Sequence, residues 1–357
     1  MRLVSIAMVS LGLTSAFAAA LLAPGSAFAQ STSPDSARAA AAPAPTAAAP
    51  TTESTAPDSA TGIQWFPSHW VIAALIAAPR EIRLAGGLYG AERDLERESD
   101  GSTLESEVSL GYRIPVVRLL DGGAAGVDLD FGFEVGIWSR FDMETDERDL
   151  IASDYRVGFP LSVRYRSLEG RLTFHHSSSH LGDDYIKRYG VWVYQVSREA
   201  LELILAVRPI APLRLYGGGD LNVGRGFDYA VDDDFRGKQF TTVEQWVLRF
   251  GGEYDPSWVK QGSVQPFLGA NFETTDWTQR LATTVRGGVA FRINSIRILL
   301  DAQYRDGPSA MGQFRLDPDG FEDLDEEKPF RGVDEQMLGV GLEVQIGGLV
   351  APGLTGS

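Results

Sequence analysis

The residues best suited to chemistry lie in one stretch, 175–184, whose sequence HHSSSHLGDD holds three of the four histidines of the chain. His176 and Ser178 are two positions apart, and an imidazole beside a serine can take the hydroxyl proton and make the oxygen a nucleophile. A carboxylate on a neighbouring element would then orient the imidazole. The stretch is therefore a candidate for serine-based hydrolysis. The alternative is structural, because the same Ser and Asp side chains can close a strand by bonding the amides of a loop.

The elements that must position this stretch are strands. Between Ile82 and Ile346 a dozen segments alternate apolar with polar residues, and we find no convincing helical stripe. Several segments run ten residues or more, which is typical of membrane barrels, at about 9 to 11 residues per strand, rather than of sandwiches, at about 5 to 6. One face of each segment carries almost no charge, and Arg or Lys facing the lipid midplane would cost about 2 to 4 kcal/mol. The pattern predicts an all-β fold, a transmembrane antiparallel up-and-down β-barrel of about 12 strands over residues 82–346.

The connections between the segments predict the orientation of this barrel. Long and short connections mostly alternate, beginning with a long one after the first segment. Barrels with an even number of strands show this rhythm when both termini are periplasmic and the long loops face outward.

The polar faces of the segments predict the character of the lumen. They mix Arg with Asp and Glu, which favours an interior filled and largely occluded by salt bridges. A small-solute channel is an alternative, although a selective pore more often shows one dominant sign of charge. A soluble exported β-sandwich is another alternative, and it would leave the cell envelope in buffer without detergent.

Four further segments flank the barrel. Residues 1–29 combine a basic start, an apolar stretch and a small-x-small motif, which predicts a cleaved signal peptide and an outer-membrane protein of a Gram-negative bacterium. Residues 30–62 are rich in Ala, Pro, Ser and Thr and are predicted to be a disordered linker. Residues 63–81 form a periplasmic pre-barrel segment, either an interfacial helix or a plug at the mouth of the barrel. Residues 347–357 form a C-terminal tail.

Composition limits the cofactors and partners. A formal net charge of −16 argues against nucleic acid, and the absence of cysteine removes thiolate chemistry and Cys-ligated zinc. The expected partners are outer-membrane lipid and lipopolysaccharide, with the Sec and barrel-assembly machineries during biogenesis. No cofactor is expected, except that a divalent cation could bridge acidic outer loops to lipopolysaccharide phosphates. These loops are residues 92–100, 142–149, 232–234 and 322–327.

Strand parity predicts that the candidate site lies on the lipid-facing side of its strand. Leu172 and Phe174 continue an apolar face, so His176 and Ser178 point outward near the outer rim. In the following strand the odd-numbered residues point outward, which nominates Glu199 as the carboxylate that orients the imidazole.

This outward His-x-Ser is similar to the nucleophile and base of the outer-membrane phospholipase A and lipid A deacylase barrels. Those enzymes carry Asn directly after the serine, where this chain has Ser179. The resemblance therefore implies a lipid hydrolase whose oxyanion arrangement would differ.

Over residues 65–346 the chain resembles the domain-of-unknown-function 1207 family of bacterial outer-membrane barrels. The matching stretches are WFPSHW with AAPREI, DLIASDYRVGFPLS, HHSSSHLGDDY, LRLYGGGD and YRDGPSAMGQF. The resemblance implies a barrel and an outer-membrane address, and it supplies no established activity. The sequence thus predicts an integral barrel with an uncharacterised envelope role, with a lipid hydrolase and a small-solute channel as alternatives.

Overall fold

The structure is a computed structural model that describes residues 62–67, 70–93, 102–120, 126–184, 195–224, 227–228, 246–256, 264–275, 280–293, 296–308, 314–316, 330–332 and 334–346. The predicted signal peptide and C-terminal tail, and the linker up to its last residue, lie outside these ranges. Within them, no helix has the length and hydropathy that a membrane crossing requires.

The described strands are numbered in chain order. They are β1 (Gly62–Trp65), β2 (Leu84–Arg93), β3 (Ser102–Leu120), β4 (Val127–Asp142), β5 (Leu150–Tyr165), β6 (Leu168–Leu181), β7 (Gln195–Ile210), β8 (Leu213–Asn222), β9 (Phe227–Asp228), β10 (Trp246–Tyr254), β11 (Val264–Thr275), β12 (Ala282–Ile293), β13 (Ile296–Pro308), β14 (Phe314–Leu316), β15 (Phe330–Gly332) and β16 (Asp334–Ile346).

Twelve of these strands close one antiparallel ring. The ring contains β2 to β8, β10 to β13 and β16, and it closes because β16 pairs with β2 while β2 pairs with β3. The predicted all-β antiparallel barrel of about 12 strands is therefore confirmed. The short strands β14 and β15 pair with each other outside the ring.

Alternation of residue type decides which face of each strand looks outward. In β5 the odd-numbered side chains from Tyr155 to Tyr165 are exposed and apolar or aromatic, whereas the guanidinium of Arg156 is buried on the other face. The same division in β4 leaves Phe131 and Val135 exposed and buries Glu134 completely. Period-two patterning thus builds a wall with an apolar outer surface and a charged inner surface.

The two ends of the barrel differ in their connections. Only two residues join β5 to β6, β7 to β8 and β12 to β13, and all three turns lie at one end, here called the short-turn end. The longest connections, residues 182–194, 223–245 and 309–333, all lie at the opposite, long-loop end. The first ring strand starts and the last one finishes at the short-turn end.

Residues 70–83, here called the plug segment, leave the wall and enter the lumen. β1 pairs with β3 at residues 117–120 and β2 pairs with β3 at residues 102–110. Both run antiparallel to β3, so together they occupy one strand position in the wall. The chain between them turns inward. For this region the sequence left open an interfacial helix or a plug at the mouth of the barrel; residues 70–83 contain no helix and contact inward-facing residues of the wall.

The apolar side chains of the plug segment pack against inward-facing apolar residues of the wall. Leu75 lies with Ile204 and Tyr216, and Ile76 lies with Phe267 and Leu299; all six are buried. A third cluster joins Ile82 to Trp138, Ile151 and Ala152. Burying a Leu or Ile side chain contributes about 1.5 to 3 kcal/mol, so these contacts hold the segment inside the ring.

Candidate functional site

The predicted site residues lie together on the outer surface of β6 and β7. His176 is directly opposite Glu199 in the β6–β7 register, and Ser178 is opposite Ser197. His176 is exposed, and Ser178 and Glu199 are half-buried. The chain therefore brings these polar side chains to one patch on the outer surface of the ring, as strand parity predicted.

Two of the three side chains are joined. Nδ1 of His176 lies 3.2 Å from Oε1 of Glu199, which is hydrogen-bonding distance for an imidazole N–H donating to a carboxylate. Ser178 lies two residues along the same strand from His176, about 6.6 Å at 3.3 Å per residue. Within the described residues its hydroxyl makes no hydrogen bond to His176. His176 and Glu199, the predicted base and orienting carboxylate, are thus paired, while Ser178, the predicted nucleophile, lies beside them without a bond to His176.

The site lies at the edge of the apolar belt. Tyr155 is paired with Ser178 across β5 and β6, and its ring contacts the ring of His180 with centroids 5.7 Å apart. Tyr155 and Tyr165 bound the exposed apolar stripe of β5, and ten residues in a strand tilted by about 40° span about 25 Å along the barrel axis. Tyrosine rings favour the boundary between hydrocarbon and headgroups. Ser178 is therefore level with Tyr155, at the edge of this apolar stripe nearer the long-loop end.

A buried histidine next to this site was not singled out by the sequence. His175 points inward and is 1% exposed, and its Nε2 lies 3.4 Å from Oδ1 of Asp220. Asp220 also accepts a hydrogen bond from Arg249 at 2.7 Å. The parity that places His176 outward places His175 in the charge network of the lumen, where it is separated from lipid by the wall.

The inward-facing charges form buried ion pairs, as the mixed signs predicted. Glu202 contacts Arg156, Arg171 and Arg249 at 3.2, 3.0 and 2.9 Å. Nearer the long-loop end, Arg140 contacts Glu335 at 2.6 Å, and Arg305 contacts Glu107 at 2.6 Å. These networks line the inner surface of the ring, because their members come from neighbouring strands or from strands separated by one or two others.

Charged side chains of the wall also bind the main chain of the plug segment. Arg214 donates to the carbonyls of Ala73 and Ala74 at 2.9 and 2.8 Å. The carboxylate of Asp130 accepts from the amide of Val71 at 2.6 Å. Two further contacts of this kind join the amide of Ile76 to Glu253 and its carbonyl to Arg286. Buried backbone groups need such partners, and here they come from β4, β8, β10 and β12.

One side chain of the plug segment is an ion-pair centre. Glu81 is 3% exposed, contacts Arg171 at 2.8 Å and also contacts Arg113. Burial by itself would raise the pKa of the Glu81 carboxyl, but the guanidinium groups of Arg113 and Arg171 hold that pKa well below its ordinary value. Glu81 therefore links β3 and β6 through the lumen as an anion.

Replacing this anion is expected to destabilise the barrel. Glu81→Gln removes one of the two carboxylates that Arg113 and Arg171 each contact, while Glu134 and Glu202 remain. We therefore expect the free energy of unfolding in urea to fall by about 3 kcal/mol at pH 7. Because the folded-state pKa is depressed, this contribution is present above the ordinary value of 4.5 and is lost as pH falls below it. The variant should therefore lose less stability than the native chain below that pH. Equal stability of the two proteins at pH 7 would contradict this role.

The acidic outer loops are described only in part. Glu147, Asp149 and Asp184 meet at the long-loop end, with carboxylate oxygens within 4.8 Å of one another. Most of the predicted loop 92–100, and all of 232–234 and 322–327, lie outside the described residues. Exposed acids commonly gather without a cation, so this group assigns no metal by itself.

A protein family matches the chain, and solved structures resemble it at low sequence identity. A family model described as "Protein of unknown function (DUF1207)" matches residues 26–321, and no curated protein matches the chain. Outer membrane phospholipase A from Escherichia coli is 13% identical, with 74% of this chain and 93% of that chain covered and a TM-score of 0.42. The Salmonella typhi outer membrane phospholipase dimer with bound calcium is 12% identical, with 75% of this chain and 93% of that chain covered and a TM-score of 0.42. The NanC porin is 10% identical, with 73% of this chain and 100% of that chain covered and a TM-score of 0.36. With TM-scores under 0.5, these similarities carry no argument about activity.

Proposed function

Because the chain belongs to the DUF1207 family of proteins of unknown function, which brings no activity with it, we propose a function from the geometry. The protein is an outer-membrane barrel that is closed to solutes and acts in the envelope through its outer surfaces. The observation that carries this proposal is the plug segment, residues 70–83, inside the ring.

The plug segment supports closure because it is bound from many sides. Its main chain is held by Asp130, Arg214 and Glu253 from three strands of the ring, and Glu81 reaches two further strands. Buried ion pairs line the inner surface of the ring nearer the long-loop end. A cavity of about 30 Å³ lies beside Arg83, Tyr89 and Glu107, which is room for about two waters. Among the described residues, this packing supports a lumen that is closed to solutes.

The outer surface supports residence in the outer membrane. A closed ring removes unpaired strand edges, which lipid does not tolerate, and the apolar stripe of about 25 Å on β5 matches the belt of outer-membrane barrels. In this assignment the short-turn end and both termini face the periplasm, and the long-loop end meets lipopolysaccharide. The Sec and barrel-assembly machineries would deliver the chain.

The native barrel is expected to give no discrete current steps in a planar lipid bilayer. The reason is that the plug segment and the ion pairs fill its cross-section. A porin inserted under the same conditions serves as the positive control for the bilayer. Reproducible single-channel steps from the native chain would overturn the closed-barrel proposal.

A second candidate function, hydrolysis of lipid acyl esters, is favoured by the bond between His176 and Glu199. A carboxylate that accepts from Nδ1 leaves the Nε2 lone pair free to take a proton. Ser178 lies on the same outward face, level with the boundary where the ester groups of a bilayer lipid lie. The water-facing position of the long loops would place the site in the outer leaflet.

In this reaction His176 would remove the Ser178 proton as the oxygen attacks the acyl carbonyl, and would then protonate the leaving alcohol. Water would next cleave the acyl-serine, with His176 again as the base, so that a fatty acid and the deacylated lipid are formed. Glu199 would stabilise the imidazolium that forms in each step. Release of fatty acid from vesicles of phospholipid, or from lipid A, by the purified protein tests this candidate. Failure on both substrates would remove it.

A further inference from the structure

Gly224, just after β8, lies directly against the carboxylate partner of His176. A Cβ built at this glycine would overlap Oε2 of Glu199 and would lie 2.8 Å from both the Cβ and the carboxyl carbon of that side chain. Real Cβ atoms essentially never approach other atoms so closely. Any side chain at position 224 must therefore displace the Glu199 side chain or the backbone beside it.

The backbone at this point cannot move away without losing hydrogen bonds. The amides of Val223 and Gly224 both donate to the carbonyl of Glu199, at 2.8 and 3.1 Å. The Gly224 amide also donates to Oδ1 of Asn222 at 3.2 Å. The end of β8 is thus fixed against the main chain of β7, and the flexible element in the contact is the Glu199 side chain.

The need for glycine here is one of space. Gly224 is not among the described glycines with a positive φ, which are Gly126 and Gly307, so an alanine could adopt its backbone conformation. What an alanine lacks is room for its methyl group.

We propose that Gly224 is a positioning residue for the lipid-facing site: its missing side chain leaves the space in which the Glu199 carboxylate reaches Nδ1 of His176. This inference deepens the hydrolase candidate and rests on it for its functional meaning. Displacing the carboxylate would release the imidazole from one tautomer, because the bond made by one ring nitrogen decides which nitrogen keeps the proton.

The same outward face of β8 provides a matched control. A Cβ at Gly217 would meet only the carbonyl oxygen of Arg249 at 3.8 Å and the Cβ of Phe250 at 3.9 Å, which are ordinary van der Waals contacts. Gly217→Ala therefore adds the same methyl group within β8, seven residues before Gly224, without touching Glu199.

The test measures the tautomer of His176 in the full chain labelled with nitrogen-15 histidine and folded in detergent. The ring signals are assigned with His176→Gln, and folding of each variant is checked by its heat-modifiable mobility on a gel. Gly224→Ala and Glu199→Ala are expected to shift His176 from the Nδ1–H tautomer toward the Nε2–H tautomer, and Gly217→Ala is expected to leave it unchanged. An unchanged tautomer in folded Gly224→Ala would overturn the proposal, as would an unchanged tautomer in Glu199→Ala.

This readout separates the inference from the proposed activity. If the native protein releases no fatty acid but Gly224→Ala still shifts the tautomer, the hydrolase candidate fails and the positioning role of Gly224 stands. If the native protein is active, Gly224→Ala should lower the rate about as much as Glu199→Ala does, and both should alter the pH dependence of the rate.

Discussion

Replacing residues 71–80 with a Gly/Ser linker of equal length is expected to turn the closed barrel into one that conducts ions. The linker keeps the chain connected but removes the apolar side chains, among them Leu75 and Ile76, that bury the plug segment against the wall. Each lost Leu or Ile contact costs about 1.5 to 3 kcal/mol, so the segment should no longer stay in place. Barrels of about 8 strands are filled by side chains and those of 16 to 18 leave a channel, so a 12-stranded ring without its plug should leave a narrow one.

The measurement is single-channel current in a planar bilayer. The native chain should give no current steps, and the variant should give discrete ones. A five-residue Gly/Ser linker in place of residues 144–148, which lie in the β4–β5 connection, is the control and should stay silent. A silent plug variant that is correctly folded would show that the wall side chains close the lumen by themselves, and would contradict the role given to the plug segment.

The wall of this barrel could be predicted from the sequence because each strand residue has only two environments. In β13, for example, Ile298 and Leu300 face outward and Asp301 faces inward, and a period of two records that choice directly. Glu199 could be nominated for the same reason. Parity put it on the face of His176, and neighbouring antiparallel strands brought the two into register.

The plug segment could not be predicted in this way because its contacts are non-local. The inward apolar residues that receive it, such as Ile204 and Leu299, stand among charged inward positions and leave no periodic signal of their own. The wall groups that bind its main chain are ordinary interior Arg, Asp and Glu in the sequence. A short apolar segment before the first strand is therefore compatible with a membrane interface or with a lumen, and only the folded ring separates the two.

The role of Gly224 could not be predicted from the sequence either. The chain contains 39 glycines, and many lie in strands where they serve only close packing. What distinguishes Gly224 is the side chain that lies over it, and that side chain belongs to a residue 25 positions earlier, Glu199. Sequence spacing carries no information about such a contact.

Ser178→Ala is expected to abolish fatty-acid release, by about 10³-fold or more, if the lipid-facing patch is a hydrolase. Without the hydroxyl there is no oxygen to attack the acyl carbonyl, whereas the His176–Glu199 bond remains. The matched control is Ser197→Ala, which removes the hydroxyl directly opposite on β7 and should keep native activity. Rates are compared on phospholipid vesicles and on lipid A at equal amounts of folded protein. Full activity of Ser178→Ala on the substrate that the native protein cleaves would exclude Ser178 as the nucleophile. Among the described residues, Ser178 is the only serine that lies two positions from His176 on the same outward strand face, so this arrangement would then offer no other nucleophile.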